Sequence, residues 1–205
     1  MTVAPVVFVI DDDASVRKSL KLLISTIGLR VEAFGAPDDF LRRQPPDSPS
    51  CLILDVRLPG LNGLDFQREL TSRKIHVPII FITGYGDIPM SVRAMKDGAV
   101  EFLTKPFRDQ DLLDAVHSAI ERDRATRGHE QKVKEIRDRF ETLSSREREV
   151  AYLVVEGLLN KQIAEQLGTA ENTVKVHRSR AMTKMHANSV ADLVKMVQKV
   201  KEPPK

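Results

Sequence analysis

The amino-acid sequence predicts an α/β protein: a five-stranded, doubly wound parallel sheet first, then a helical linker, then an all-α domain of four helices. Three observations predict it. Short apolar runs alternate with amphipathic stretches from Val6 to about Glu121, a charge-rich segment follows, and helical spacing alone governs the chain from Leu143 onward. Near-continuous apolar strands are what a parallel sheet covered by helices on both faces requires. The divisions are residues 1–121, 122–142 and 143–205.

The predicted strands are Val6 to Ile10 (VVFVI), Arg30 to Phe34 (RVEAF), Cys51 to Leu54 (CLIL), Pro78 to Thr83 (PIIFIT) and Val100 to Thr104 (VEFLT). Between the first two, Val16, Leu20, Leu23, Ile24 and Ile27 fall at helical spacing and Gly28 supplies a stop. In the charged segment, Val133, Ile136, Phe140 and Leu143 make one apolar seam. That suits a solvated linker helix better than a coiled coil, because fewer than two heptads are present and Gly128 interrupts.

Composition excludes several classes. The longest apolar runs fall far short of the roughly 18–20 residues a membrane span needs, and MTVAPVV lacks the charge and length of a secretory leader. A cytoplasmic protein with no membrane partner is expected. The single cysteine, Cys51, has no partner for a disulfide or a cysteine-rich metal site and reads as core. Residues up to Glu121 carry 14 Lys and Arg against 17 Asp and Glu, net −3, and the remainder carries 18 against 12, net +6. An acidic front and a basic back suggest different partners, with nucleic acid as a hint for the back.

Three predicted strands run into polar groups: Asp11 and Asp12 after the first, Asp55 after the third, Thr83 closing the fourth. Lys105 follows the fifth. In a parallel sheet these gather at the carboxyl edge, where such sheets bind ligands. A strand order 2-1-3-4-5 makes the first and third strands neighbours and brings Asp11, Asp12 and Asp55 together. Three close carboxylates repel unless a cation joins them, and their hard oxygens suit Mg²⁺. A carboxylate beside Mg²⁺, with an ammonium and a hydroxyl near, is equipped to attack phosphorus, so Asp55 is the expected nucleophile, with Lys105 and Thr83 steadying the phosphoryl oxygens. Taken singly, Asp11–Asp12 would read as a helix start and Thr83 or Lys105 as nothing in particular. The ordered set carries the signal.

VIDDDASVRKSL, LDVRLPGLNG, FITGYGD and LTKPF resemble the receiver domain of two-component response regulators over residues 6–121. The resemblance implies Asp11 and Asp12 as metal ligands with Asp55, the backbone carbonyl of Arg57 completing the shell, and Asp55 as phosphoacceptor. It also implies Thr83 as switch hydroxyl, Phe102 as switch aromatic, and Lys105 as phosphate-binding lysine with a cis bond to Pro106. Asp13 is read as a helix start. A phosphatase of the haloacid-dehalogenase type would use the same nucleophile but wants a second acid two residues on, where this chain has Arg57. That argues against an enzyme.

In the basic half, a short helix (Asn160 to Leu167), a turn at Gly168 and a longer helix from about Glu171 to Met185 have helix-turn-helix spacing. On the second helix Val174, Ala181, Met182 and Met185 share one side, leaving Asn172, Lys175, Val176, Ser179 and Thr183 on the other. An exposed Val176 could touch a thymine methyl and Lys175 could reach guanine or phosphate. Lys161, Thr173, His177, Arg178, Arg180 and Lys184 are candidate phosphate contacts. From the charges alone a bundle helix with a solvated basic face is the plainer reading. LSSREREV, GLLNKQIAEQL, NTVKVHRSRAMTKM and SVADLVKMV, however, resemble the LuxR-type DNA-binding domain over residues 143–200. The resemblance implies that the helix from Glu171 is the recognition helix and that Val190, Leu193, Val194 and Val197 form a dimer face. Ala170 and Leu159 stand where that family places serine caps, and Thr169 and Asn160 are expected to take over.

Together the halves resemble a NarL/FixJ-type response regulator. That implies a sensor histidine kinase, promoter DNA, a homodimer on phosphorylation and RNA polymerase as partners, with Mg²⁺ as cofactor. A DNA-binding protein indifferent to phosphate is the alternative within that family.

Overall fold

The computed structural model describes residues 4–44 and 46–201. The chain divides into two compact units, up to Arg127 and from Gly128 on.

The first unit is built on a sheet of five parallel strands: β1 (Val6–Ile10), β2 (Arg30–Phe34), β3 (Ser50–Asp55), β6 (Ile79–Thr83) and β7 (Glu101–Thr104). They run in the order β2-β1-β3-β6-β7. The order anticipated from the sequence is therefore found, and β1 and β3 lie side by side with Ile10 opposite Leu54. A small antiparallel pair not anticipated from the sequence, β4 (Arg57–Leu58) and β5 (Leu61–Asn62), follows β3. Gly60, at φ +79°, makes the turn between them.

β1, β3 and β6 are buried at every position because both faces are covered. One face packs Phe8, Leu52, Phe66 and Phe81 with α3 (Gly63–Ser72) and α4 (Ile88–Lys96). The other packs Val7, Val9, Ile53 and Ile80 against α1 (Ala14–Ser25) and the first turns of α5 (Asp109–Glu141). A short α2 (Pro37–Leu41) adds Phe40 beside Phe8. Asp13 caps α1 by accepting from Ser15 N at 2.7 Å. Ile27 lies beyond the end of α1 and is 46 % exposed, so the helical stripe closes at Ile24 rather than Ile27. Cys51 is fully buried, and burial pushes its thiol up to about 12, which leaves it inert core.

α5 is a single helix of 33 residues that passes Gly128 without a break. A mid-helix glycine costs only about 1 kcal/mol, and the Lys, Glu, Gln and Arg residues flanking it carry the helix through. The anticipated helical linker, 122–142, lies almost wholly within this helix. Asp123 and Arg127 bind the first unit, where Asp123 Oδ2 accepts from Ser50 N at 2.8 Å and from Arg127 Nε at 2.6 Å. Ile136 and Phe140 join the core of the second.

The second unit adds α6 (Ser145–Val155), α7 (Asn160–Gln166), α8 (Glu171–Met185) and α9 (Val190–Lys201). Ser144 and Glu147 form a capping box at the start of α6. Val150, Ile163, Val174, Ala181, Met185, Leu193 and Val197 make the core. Two of the four residues of the anticipated dimer seam, Leu193 and Val197, therefore run inward. Leu193 and Val197 are fully buried, and Val190 and Val194 pack partly buried against the same cluster. A four-helix domain this small spends its helical stripe on its own core.

Candidate functional site

At the carboxyl edge of the sheet, the ends of β1, β3 and β7 bring four side chains to one pocket. Asp11, Asp12 and Asp55 each place a carboxylate oxygen within 4.8 Å of the other two. Lys105 Nζ, from the loop after β7, donates to Asp11 Oδ2 at 2.8 Å and to Asp55 Oδ2 at 2.7 Å. Asp11 and Asp55 are buried and Asp12 is exposed, so one face of the cluster is open to solvent.

The backbone fixes this geometry. Asp11 Oδ1 accepts from Asp13 N at 2.8 Å and Asp55 Oδ1 accepts from Arg57 N at 2.9 Å, which leaves each acid's Oδ2 turned to Lys105. Arg17 Nη1 holds the Asp11 carbonyl at 2.6 Å. The Lys105–Pro106 peptide is cis, and Lys105 N donates to the Thr83 carbonyl at 2.7 Å. Gly63 allows α3 to start hard against β3, since a Cβ there would run into the Asp55 carbonyl oxygen. Burial raises the Asp11 carboxyl above its ordinary value, and the Lys105 and Asp13 hydrogen bonds only partly offset this. For Lys105, burial alone would lower the ammonium's pKa, but hydrogen bonds and charge from Asp11 and Asp55 outweigh it and the net change is upward. The ammonium stays charged. Three hard oxygen donors beside it suit a divalent ion such as Mg²⁺, with Asp12 on the solvent side.

Thr83, fully buried at the end of β6, lies across the register from Thr104. Its Oγ1 accepts from Tyr85 N at 3.2 Å. Phe102 is half-buried on β7, 6.2 Å from the Phe81 ring. Arg57 sets its guanidinium over the Tyr85 ring at 4.1 Å.

In the second unit α7 and α8 form the helix-turn-helix pair, with Gly168 at φ +60° in the turn. Lys161, Asn172, Thr173, Lys175, Val176, Ser179 and Arg180 are exposed, Val176 at 42 %. His177 and Arg178 are half-buried, and Arg178 Nη1 donates to Asn160 Oδ1 at 3.0 Å across the two helices. An open groove of about 400 Å³ runs along α8 between Asn160, Lys175, Ser179, Thr183 and Ala187. Lys184 departs from expectation. Its Nζ donates to Glu147 Oε2 at 2.6 Å and to the Thr142 carbonyl at 3.3 Å, so it pins α8 to α6 rather than facing a phosphate. Glu147, missed in the sequence, is buried with its carboxyl lowered by the Lys184 hydrogen bond. Its one signal was the capping-box spacing from Ser144. The expected cap replacements are not found. Ala170 and Leu159 start α8 and α7 without a side-chain cap, Asn160 is spent on Arg178, and Gln162 Oε1 instead accepts from Leu159 N at 2.8 Å.

An acidic cluster with a lysine at the sheet edge of the first unit, and a helix-turn-helix with a basic face in the second, define a class: a phosphoryl-receiving module joined to a DNA-binding module. Residues 7–117 match the response regulator receiver domain, and residues 141–197 match the bacterial regulatory proteins of the luxR family. The chain is 58 % identical over 191 residues to Nodulation protein W of Bradyrhizobium diazoefficiens, covering 93 % of this chain and 84 % of that protein. It is 43 % identical over 190 residues to the transcriptional regulatory protein FixJ of Azorhizobium caulinodans, covering 93 % and 90 %. The solved structure of the response regulator StyR superposes with a TM-score of 0.84 at 46 % identity, covering 96 % of this chain and all of that one. This chain belongs to the NarL/FixJ-type response regulators, with a receiver domain and a LuxR-type DNA-binding domain. Among the described residues no helix is long and apolar enough to cross a membrane.

Proposed function

We propose that Asp55 is the phosphoacceptor of a two-component phosphorelay and that its phosphorylation controls DNA binding by α8. The convergence of Asp11, Asp12, Asp55 and Lys105 on one pocket carries this reading. Asp55 Oδ2 attacks the phosphorus of a phosphohistidine on the sensor kinase. The P–O bond forms, the P–N bond breaks, and the imidazole leaves with the electron pair and is protonated from solvent. Asp11, Asp12, Asp55 and the Arg57 carbonyl would hold Mg²⁺, which supplies charge neutralisation at the phosphoryl oxygens. Lys105 then exchanges its bond to Asp55 for one to a phosphoryl oxygen, and Thr83 turns its hydroxyl from the Tyr85 amide to another. Phe102 follows into the space beside Thr83.

The dimer then forms through the first unit rather than through α9. Ile88, Val92 and Met95 are 79 %, 46 % and 44 % exposed at i, i+4 and i+7 on α4, the helix that follows the Thr83 loop. Two recognition helices of a dimer would engage promoter half-sites about one helical turn apart, with Lys175 and Val176 on base edges and Lys161, Asn172, Thr173, His177, Arg178, Ser179 and Arg180 around them. RNA polymerase would be met at the promoter, and the site of action would be the cytoplasm. Arg57, in place of a second acid, argues against phosphatase turnover. The test is labelling with a radioactive small phosphodonor and Mg²⁺. One phosphoryl per chain, lost in Asp55→Asn, is expected, and steady release of phosphate with continued turnover would overturn the reading.

A further inference from the structure

The loop between β6 and α4, residues 84–87, lies on the face of β7 that carries Phe102 and Thr104. It is held at both ends. Tyr85 N donates to Thr83 Oγ1 at 3.2 Å, and Asp87 caps α4 by accepting from Met90 N at 2.7 Å. Between these anchors Gly86 comes so close to the sheet that an added Cβ would lie 2.7 Å from Thr104 Cγ2, 2.9 Å from Phe102 Cε1 and 3.3 Å from Thr83 Cγ2. Gly86 does not have the positive φ that would explain a glycine by backbone conformation. Its absent side chain is a matter of space, and the space adjoins both residues of the switch.

Something must yield to a methyl there. Carbon atoms rest about 3.5–4.0 Å apart, so the Phe102 ring edge would have to withdraw by at least about 0.6 Å, and Thr104 by more. The loop is anchored, and the exposed Thr104 can turn its methyl into another χ1 well, which relieves its own contact but leaves the ring's. The half-buried ring is the part free to leave. Gly84, two residues earlier in the same loop, also lacks positive φ, and nothing lies within 4 Å of an added Cβ there.

We infer that Gly86 is the positioning residue of the switch: by carrying no side chain it lets the loop lie against the Phe102 ring edge, and a single methyl there displaces the ring and separates phosphoryl acceptance from the response. This deepens the function proposed above and rests on it. Thr83 would report the phosphoryl group to a loop whose underside touches Phe102 at Gly86. Asp55, Asp11, Asp12 and Lys105 lie outside these contacts, and Thr83 meets the added methyl through its own methyl, Cγ2 at 3.3 Å, rather than through the hydroxyl, so acceptance itself should survive.

The test uses the full chain with 4-fluorophenylalanine placed at Phe102 alone, in wild type, Gly86→Ala and Gly84→Ala. Its ¹⁹F resonance is recorded with and without phosphoramidate and Mg²⁺, beside labelling and sedimentation. Gly86→Ala should move the resonance, take label within about twofold of wild type, and lose about tenfold of the phosphorylation-driven gain in dimer association, the scale on which one residue modulates coupling. Gly84→Ala should keep the wild-type resonance. Coincident resonances in Gly86→Ala and wild type would overturn the inference. If Gly86→Ala folds poorly, its loss in thermal midpoint is compared with the loss the same change causes in Phe102→Ala. The loss should shrink there, and equal losses would overturn the inference. A wild-type chain that takes no label would sink the phosphoacceptor reading, while the ring resonance would still decide the role of Gly86.

Discussion

Replacing Lys105 by Met removes the cation shared by Asp11 and Asp55, whose side chains are 1 % and 10 % exposed, without removing much bulk. Stripping one partner from a buried charge pair costs about 3–5 kcal/mol. Two features pull the value to the lower end: Lys105 is itself 24 % exposed, and Asp11, with its carboxyl already raised by burial, can take up a proton. A loss of about 3 kcal/mol in metal-free buffer follows, or about 10 °C in the first unit's melting temperature at roughly 3–4 °C per kcal/mol for a domain of this size. The same change removes the competitor for the two carboxylates. Mg²⁺ should then bind Lys105→Met more tightly than wild type and restore more of its stability, while labelling by a phosphodonor slows. Calorimetric melting over a Mg²⁺ series, with labelling rates in parallel, measures all three. Unchanged melting without metal, together with weaker Mg²⁺ binding, would refute a lysine that bridges and competes.

The second unit offers its own tests. Glu147 has its carboxyl lowered below the ordinary 4.5, so its contribution is complete above that pH and is lost as pH falls through the lowered folded value. Glu147→Gln should cost about 1–3 kcal/mol at neutral pH and flatten the acid loss below 4.5, as read by urea melts across pH. Lys184→Met should destabilise the unit yet leave the salt slope of DNA binding unchanged, whereas Arg180→Met should reduce that slope by about one; a reduced slope for Lys184→Met would return that residue to the DNA surface. Leu193→Ala should cost about 2–5 kcal/mol of folding stability, as a core truncation does, with no specific loss of dimer among the folded molecules, by calorimetry and sedimentation.

Much of this architecture is written locally. VVFVI and CLIL read as buried strands from their length and the βαβ rhythm around them, and the acids that end them are legible because parallel strands share one direction. The second helix of the helix-turn-helix has the bounds its spacing suggests, Glu171 to Met185. What escaped depends on partners distant in sequence. Asp123 reads as one more charge on a polar helix until Ser50 N, 73 residues away, is found on its carboxylate. Lys184 looks like a phosphate contact because spacing along α8 says nothing of Glu147 on α6. The α9 seam shows the same limit, since an apolar stripe has one signature whether it meets its own domain or a second copy. Gly86 is invisible in sequence because φ-driven and space-driven glycines look alike.

The most direct measurement titrates promoter fragments with wild type and Asp55→Asn, each with and without phosphodonor and Mg²⁺, at fixed salt. Wild type should bind more tightly once labelled while Asp55→Asn stays at the unlabelled affinity, and an equal affinity gain in both chains would contradict the assignment of Asp55 as the switch.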